Sequence, residues 1–182
     1  VISYFRLVEE VPTSDFDVST EDIRLLHQDY FRDVPLQNDA RPGHWKEKNN
    51  VIATPWRTLQ TSPKERVEED LDALLHWYNE SRHGLPLVVR VAIFFHEFQR
   101  IHRFGDGNGR VGRLAALTLL SAGGLEAVRY APVDDAINAD RGGYHRALAR
   151  GAVADTASWG NFFPRASPHR PPARPSPRPP PA

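Results

Sequence analysis

The stretch His102-Arg103-Phe104-Gly105-Asp106-Gly107-Asn108-Gly109-Arg110-Val111-Gly112-Arg113 decides how this chain is read. It lies between two apolar runs with helical spacing, 87–101 and 110–122, so it forms the turn between two core helices. Gly105, Gly107 and Gly109 alternate, which permits positive φ and a close backbone approach to a ligand. Successive N–H groups in such a turn attract an anion. The helix that follows adds its free N-terminal N–H groups and its dipole. Arg110 and Arg113 share a helix face, and each can grip phosphate oxygens bidentately. Asp106 is a hard oxygen ligand of the kind Mg²⁺ takes beside phosphates. His102 is the group of the run that accepts a proton near neutral pH. Phe104 has no polar task and is expected to anchor the loop in the core. A plain glycine-rich turn with solvated charges would explain any one of these features, but not their occurrence together. They point to a nucleotide-handling enzyme.

The run resembles the signature of the Fic family, His-Pro-Phe-x-Asp/Glu-Gly-Asn-Gly-Arg-x-x-Arg, and departs from it only at Arg103, where the family has Pro. The likeness extends over about residues 19–163. Pro42-Gly43-His44-Trp45-Lys46 with Asn49, Asn50, Val51 and Ile52 is similar to the family's flap (about 42–57), and Leu74-Leu75-x-Trp77-Tyr78-Asn79 to the segment before the core helix. Tyr144-x-x-Ala147-Leu148 and Trp159-x-x-Phe162-Phe163 resemble its closing segments. The related Doc branch has Lys where Gly109 stands, which favours the Fic branch.

The resemblance implies protein adenylyl transfer, with AMP passing from ATP to a Ser, Thr or Tyr hydroxyl of a target protein and pyrophosphate leaving. His102 would be the base, with Asn108 and Arg110 completing the catalytic set. Gly105, Gly107, Asn108, Gly109, Arg110, Arg113 and Tyr144 would bind the nucleotide, and Asp106 would hold Mg²⁺. Asn49, Asn50, Val51 and Ile52 would receive an extended target segment by strand addition. The alternatives are another nucleotide or phosphate donor at the same site, as in a Doc-like kinase, or a non-catalytic nucleotide- or partner-binding module. Many members, of bacterial toxin and regulator type among others, are inhibited by a Ser/Thr-x-x-x-Glu-Gly/Asn helix whose Glu would meet Arg113. No such run occurs; Thr61 to Glu65 is followed by Arg66. An uninhibited form is therefore expected, with any inhibitor upstream of Val1 or in a separate antitoxin chain.

Composition bounds these readings. The 182 residues suit one domain, 1–163, followed by a Pro/Arg-rich stretch, 164–182. Formal net charge is zero, which gives no reason to expect nucleic-acid or membrane binding. Arg165, Arg170, Arg174 and Arg178 lie in the final stretch without an acid, so the preceding part is acidic. That stretch carries nine prolines and reads as a disordered tail, or as a ligand for an SH3-like groove. There is no cysteine, hence no disulfide or thiol chemistry. No signal peptide or membrane-length apolar run is present, so a cytoplasmic protein is expected, or one delivered to another cell by a route without a cleavable signal. Methionine is absent, and Val1 is therefore expected not to be a translation start.

The expected fold is all-α with a small β-hairpin flap. A helix over 19–31 is capped by Ser19 and carries Ile23, Leu26 and Tyr30 inward. Asn49-Asn50 turns the chain into a short strand at Val51-Ile52. A capping box, Ser62-Pro63-Lys64-Glu65, starts a helix to about residue 79. Pro86 opens a central helix, 87–101, with Val88, Val89, Ala92, Ile93 and Phe95 as its apolar surface. The helix after the motif stops at Gly123-Gly124. A single helix is expected over 134–150 and a short one over 156–163. Outside the motif, His96 reads as a buried structural histidine rather than a ligand, Glu97 as a partner of Arg100 or solvent, and His145 as a surface residue. Tyr144 either stacks near the adenine or fills a helix interface, and His44 either touches a ligand or sits in a plain loop.

Overall fold

The computed structural model describes residues 17–153. The Pro-rich stretch and the short helix expected over 156–163 lie outside them. The described residues form six α-helices, two 3-10 turns and one hairpin. In order they are α1 (Thr20–Tyr30), β1 (Val51–Ala53), β2 (Thr58–Gln60), α2 (Val67–Glu80), α3 (Leu87–Ile101), α4 (Asn108–Ala122), α5 (Val133–Ala139) and α6 (Arg141–Val153). Short 3-10 turns follow α2 at Ser81–His83 and α4 at Glu126–Tyr130. The mostly helical fold with one hairpin is as expected. None of the described helices is long and apolar enough to cross a membrane.

Helix α1 begins where its cap dictates. Ser19 Oγ accepts from Asp22 N (3.2 Å) while Asp22 Oδ2 accepts from Ser19 N (2.8 Å). Ile23, His27 and Phe31 then fall on one buried stripe. Helix α3 is central, lying against α2, α4 and α6. Its buried stripe is Val91, Phe94, Phe98 and Ile101, which meets Leu71, Leu74 and Tyr78 of α2 and Val111, Ala115 and Leu119 of α4.

Three local expectations are corrected. The capping box at Ser62 does not form: 63–66 make a turn closed by Arg66 N to Pro63 O (2.9 Å), and α2 starts at Val67. Ser62 is diverted because its Oγ donates to Asp70 (2.5 Å). On α3, Val88, Val89 and Ala92 face outward, whereas Arg90, Glu97 and Gln99 turn inward. The stripe at 91, 94, 98 and 101 sets the helix rotation, not total apolarity. The helix expected over 134–150 is two helices. Asp140 (φ −132°) leaves helical geometry and its Oδ1 accepts from Gly143 N (2.7 Å), so it caps α6.

The hairpin pairs antiparallel with Val51 opposite Gln60, Ile52 opposite Leu59 and Ala53 opposite Thr58. Its turn closes through Thr54, whose N donates to Arg57 O (3.0 Å) and whose Oγ1 accepts from Arg57 N (3.1 Å). The second strand runs three residues beyond the expected flap boundary. Just before the hairpin, Trp45 bridges to Phe104, with Lys46 N donating to Arg103 O (2.9 Å). The hairpin is therefore moored to the motif loop itself.

Candidate active site

The motif occupies the turn between α3 and α4. His102 is the C-cap of α3 in the left-handed region (φ 53°), which throws its ring off the helix axis. Its Nδ1 lies 3.0 Å from Gln99 O. A carbonyl only accepts, so Nδ1 carries the proton and the neutral ring presents Nε2 as its lone pair. Burial, reinforced by the nearby Lys46 ammonium, holds its pKa below the ordinary histidine value against the opposing pull of the Gln99 bond and Asp106. The ring is neutral at neutral pH.

Gly107 (φ 85°) is the motif glycine that takes positive φ. A Cβ there would also lie 2.5 Å from Phe31 Cε2, so conformation and space both require glycine. Asn108, buried, spends its side chain inside the loop: Oδ1 accepts from Phe104 N (2.9 Å) and Nδ2 donates to Phe104 O (2.8 Å). It pins the loop into a ring, and the N–H groups of the first turn of α4 have no partner within the helix. The first bond into that helix is Val111 N to Gly107 O (3.0 Å). Phe104 is fully buried, stacked on His27 (3.8 Å) and tilted against Trp45 (5.0 Å).

Asp106 sits at the loop rim. Burial pushes its carboxyl up, but donations from Gln37 N (3.0 Å) and Gly107 N (2.6 Å) and the Arg110 guanidinium (3.1 Å) outweigh it, so the group stays ionised. Oδ2 takes both the Gln37 and Arg110 donors, whereas Oδ1 accepts from Gly107 N alone and keeps a lone-pair direction for a cation. Among the described residues no cluster of three or more metal-ligating side chains occurs. One ionised carboxylate at an anion-binding helix terminus fits Mg²⁺, whose other ligands are water and phosphate oxygens.

Arg110 lies over the Phe31 ring (4.5 Å) while bonded to Asp106. Arg113 is engaged by an acid: its Nε forms a close ion pair with Asp134 of α5. Tyr144 is half-buried, hydrogen-bonded with Arg113 and 6.5 Å from the Phe95 ring, so it fills the α3–α6 interface beside that arginine. The absence of an inhibitory motif therefore does not leave Arg113 free.

Gly105 packs against Ala40, and Gly109 lies at the start of α4 beside the Arg113 guanidinium. Of the flap residues, Asn49 Oδ1 accepts from Lys64 N (2.8 Å), and Asn50 is drawn inward, donating to Phe104 O (3.0 Å). Val51 is exposed, and Ile52 is half-buried opposite Leu59. His44 is exposed in the loop before the hairpin, beside the buried Lys46. His96 is a structural histidine, its ring nitrogens 3.3 Å from Leu148 O and 3.2 Å from Glu97. Glu97 also pairs with Arg100 (2.6 Å).

Several site residues escaped sequence reasoning. Buried His27 accepts from Gly43 N at Nδ1 (2.9 Å) and donates from Nε2 to Asp106 O (3.1 Å). Its position on the Ile23–Phe31 stripe was the available signal. Arg103 is buried, with its guanidinium 3.6 Å over Trp45 and Nη1 donating to Val67 O (3.0 Å). A cavity of about 350 Å³ opens between the hairpin and α6, lined by Ala53, Thr54, Pro55, Arg141, Gly142 and His145. His145 is half-buried rather than on the surface, and its Nδ1 has no hydrogen-bond partner among the described residues.

The model of the Fic/DOC family matches residues 17–120, more than half of the chain, and the chain belongs to that family. Solved structures agree on the fold. A Fic family protein from Desulfovibrio desulfuricans is similar at 26% identity and a TM-score of 0.68, over 86% of this chain and 44% of that one. A Fic domain containing signaling protein from Bacteroides thetaiotaomicron matches at 22% identity and TM-score 0.57, over 71% of this chain and 46% of that one. Fic-1 from C. elegans matches at 22% and 0.56, over 81% and 40%. This chain spans less than half the length of each of these proteins. No curated protein matches the sequence.

Proposed function

We propose that the chain is a protein adenylyltransferase: it moves AMP from ATP to a Ser, Thr or Tyr hydroxyl and releases pyrophosphate. The observation that carries this reading is the His102 imidazole, fixed by Gln99 O with Nε2 bare, beside an ionised Asp106 and the amino end of α4. His102 Nε2 accepts the proton of the attacking hydroxyl as its oxygen bonds to the α-phosphorus and the bond to the pyrophosphate oxygen breaks. The first-turn N–H groups of α4 face the developing negative charge. Arg110 offsets charge on the leaving group, and Arg113 meets the γ-phosphate once Asp134 releases it. Asn108 and His27 position these groups. Asp106 would hold Mg²⁺, which supplies further charge neutralisation at the phosphates.

The cavity between the hairpin and α6 supports the same reading. Its size suits a nucleobase. The cavity is lined by His145 of α6, the helix that also carries Tyr144 beside Arg113, which supports a base site and a triphosphate site sharing that helix. The free edge of β1 accepts an extended segment through backbone bonds, and side chains of the target then carry little of the recognition. On this reading the partners are ATP, the acceptor protein and, where Arg113 is controlled in trans, a separate inhibitor chain.

The test is label transfer to protein in a cell extract, using ATP labelled at either the α- or the γ-phosphate, with the parent and His102→Ala. Label from the α-phosphate, lost in His102→Ala while ATP still binds, supports adenylyl transfer. Label from the γ-phosphate moves the assignment to a kinase-like reaction. Neither label, with ATP bound, leaves a binding module.

A further inference from the structure

Lys46 is 6% exposed, deep below the surface for an ammonium group. Its Nζ donates to Asn50 Oδ1 (2.8 Å), Thr61 Oγ1 (3.1 Å) and Ser62 O (2.7 Å), and lies 3.4 Å from Ile101 O. All four acceptors are neutral oxygens. Asn50 immediately precedes β1, Thr61 immediately follows β2, and Ile101 is the last residue of α3, next to His102. The two legs of the hairpin are also joined to each other, because Thr61 Oγ1 lies 2.7 Å from Asn50 O and 2.8 Å from Asn50 Oδ1. Asn50 Nδ2 in turn reaches Phe104 O within the motif. One side chain thus gathers both ends of the flap and the carbonyl behind the proposed base.

We infer that Lys46 is a positioning residue of this site, a clasp that sets the acceptor-binding edge of the hairpin in register with His102. The inference rests on the reading of the hairpin as the acceptor edge and of His102 as the base. Burying an ammonium among neutral oxygens is costly, and a hydrophobic side chain of similar length would fill the space at lower cost. What the ammonium adds is a fixed point shared by three segments: the hairpin, the turn before α2 and the end of α3. Two further observations agree. Burial drives the Lys46 pKa down to about 8, only partly restored by Asp70, so the surroundings do not reward the charge as an ion pair would. The charge is felt at His102, where it works with burial and against Asp106 and the Gln99 carbonyl.

The clasp makes two separable predictions, neither needing ATP or a target. In Lys46→Met, amide hydrogen exchange over residues 50–61 should quicken about tenfold while α4 stays protected. The His102 ring, followed by NMR, should titrate higher than in the parent, because a neighbouring cation is gone. Lys46→Arg keeps the charge and should hold the His102 midpoint near that of the parent. Thr61→Val cuts the hairpin side alone, while Asn50→Ala also removes the bond to Phe104 O: exchange should quicken in both, with the His102 midpoint unmoved in Thr61→Val. This pair also serves if Lys46→Met fails to fold. In the label-transfer assay, Lys46→Met should bind ATP within twofold of the parent yet transfer at least tenfold more slowly.

A folded Lys46→Met with parental exchange over 50–61 and a parental His102 midpoint overturns the inference. So do Thr61→Val and Asn50→Ala proteins with parental exchange. If exchange and titration behave as expected but the parent transfers no adenylyl group, the functional reading fails and the clasp remains as architecture. If the parent transfers AMP and Lys46→Met does so at the parental rate, the positioning role fails and the functional reading stands.

Discussion

Acidification should destabilise this domain in part through one buried ring. His27 is fully buried between Phe31 and Phe104, with Nδ1 accepting from Gly43 N and Nε2 donating to Asp106 O. Protonation would set a second N–H against the Gly43 donor in a fully buried site. Burial lowers its pKa from 6.5 to about 4, outweighing the bond to the Asp106 carbonyl. That gap corresponds to about 3 kcal/mol between protonation states. The unfolded chain binds the proton more readily, so stability is intact above pH 6.5, falls as pH drops through the interval, and reaches its full loss below about 4. At pH 5 the loss is about 2 kcal/mol. Titrating carboxylates also contribute in acid, so the perturbation is His27→Gln, which keeps a donor and an acceptor but does not ionise there. Urea unfolding followed by circular dichroism at pH 7.5 and pH 5.0 is the assay. The variant should be about 1–3 kcal/mol less stable at pH 7.5. That difference should shrink by about 2 kcal/mol at pH 5.0. An equal difference at both values would refute the assignment of the acid sensitivity to this ring.

Three further outcomes follow from the same contacts. Asp134→Asn should release Arg113 and tighten binding of a non-hydrolysable ATP analogue about two- to fivefold with little change for ADP; equal effects on both, by calorimetry, would detach Arg113 from the γ-phosphate. Gly112→Ala places a Cβ 2.2 Å from Gln99 Nε2 and 2.9 Å from Phe98 Cδ1, and should cost about 1–3 kcal/mol in urea unfolding. Arg103→Ala removes the guanidinium from the Trp45 face and from Val67 O, and should cost about 2–4 kcal/mol, with Arg103→Lys recovering little because an ammonium is not a plane. Unchanged denaturation midpoints in either variant would show that these contacts do not hold the loop.

Helices α1, α3 and α4 are legible because apolar spacing and terminal residues agree with each other: Ser19 with Asp22, Pro86 before Leu87, Gly123 after Ala122. Legibility failed where a polar side chain found a distant partner instead of a neighbour. Ser62 has the pattern of a cap for its own turn, yet it holds Asp70 and, through its carbonyl, Lys46. Asp140 lies within a helical pattern, though Asp followed three residues later by a glycine N–H is a cap by chemistry. Val88 and Val89 belong to the apolar surface that marks α3 as central, yet at 59% and 44% exposure they do not set its rotation, which follows the stripe nearer the motif.

The site divides along the same line. Residues whose role follows from type and spacing, His102, Asp106, Arg110 and Arg113, were visible in the motif. Residues whose role follows from burial were not, because burial is a property of the folded chain. Arg103 illustrates the difference. The sequence suggests only that a rigid proline is missing, with φ less restrained. In the fold the buried arginine restrains the loop from its side chain, through the Trp45 face and Val67 O. His27, Lys46 and Asn108 do the same from three other directions, onto Asp106 O, Ile101 O and both backbone groups of Phe104. Each of these buried polar groups is expensive to place and leaves few arrangements in which its hydrogen bonds are met. Loop rigidity here is therefore a consequence of buried polar side chains anchored on specific partners, and losing one such group should loosen the loop more than losing Arg110 or Arg113.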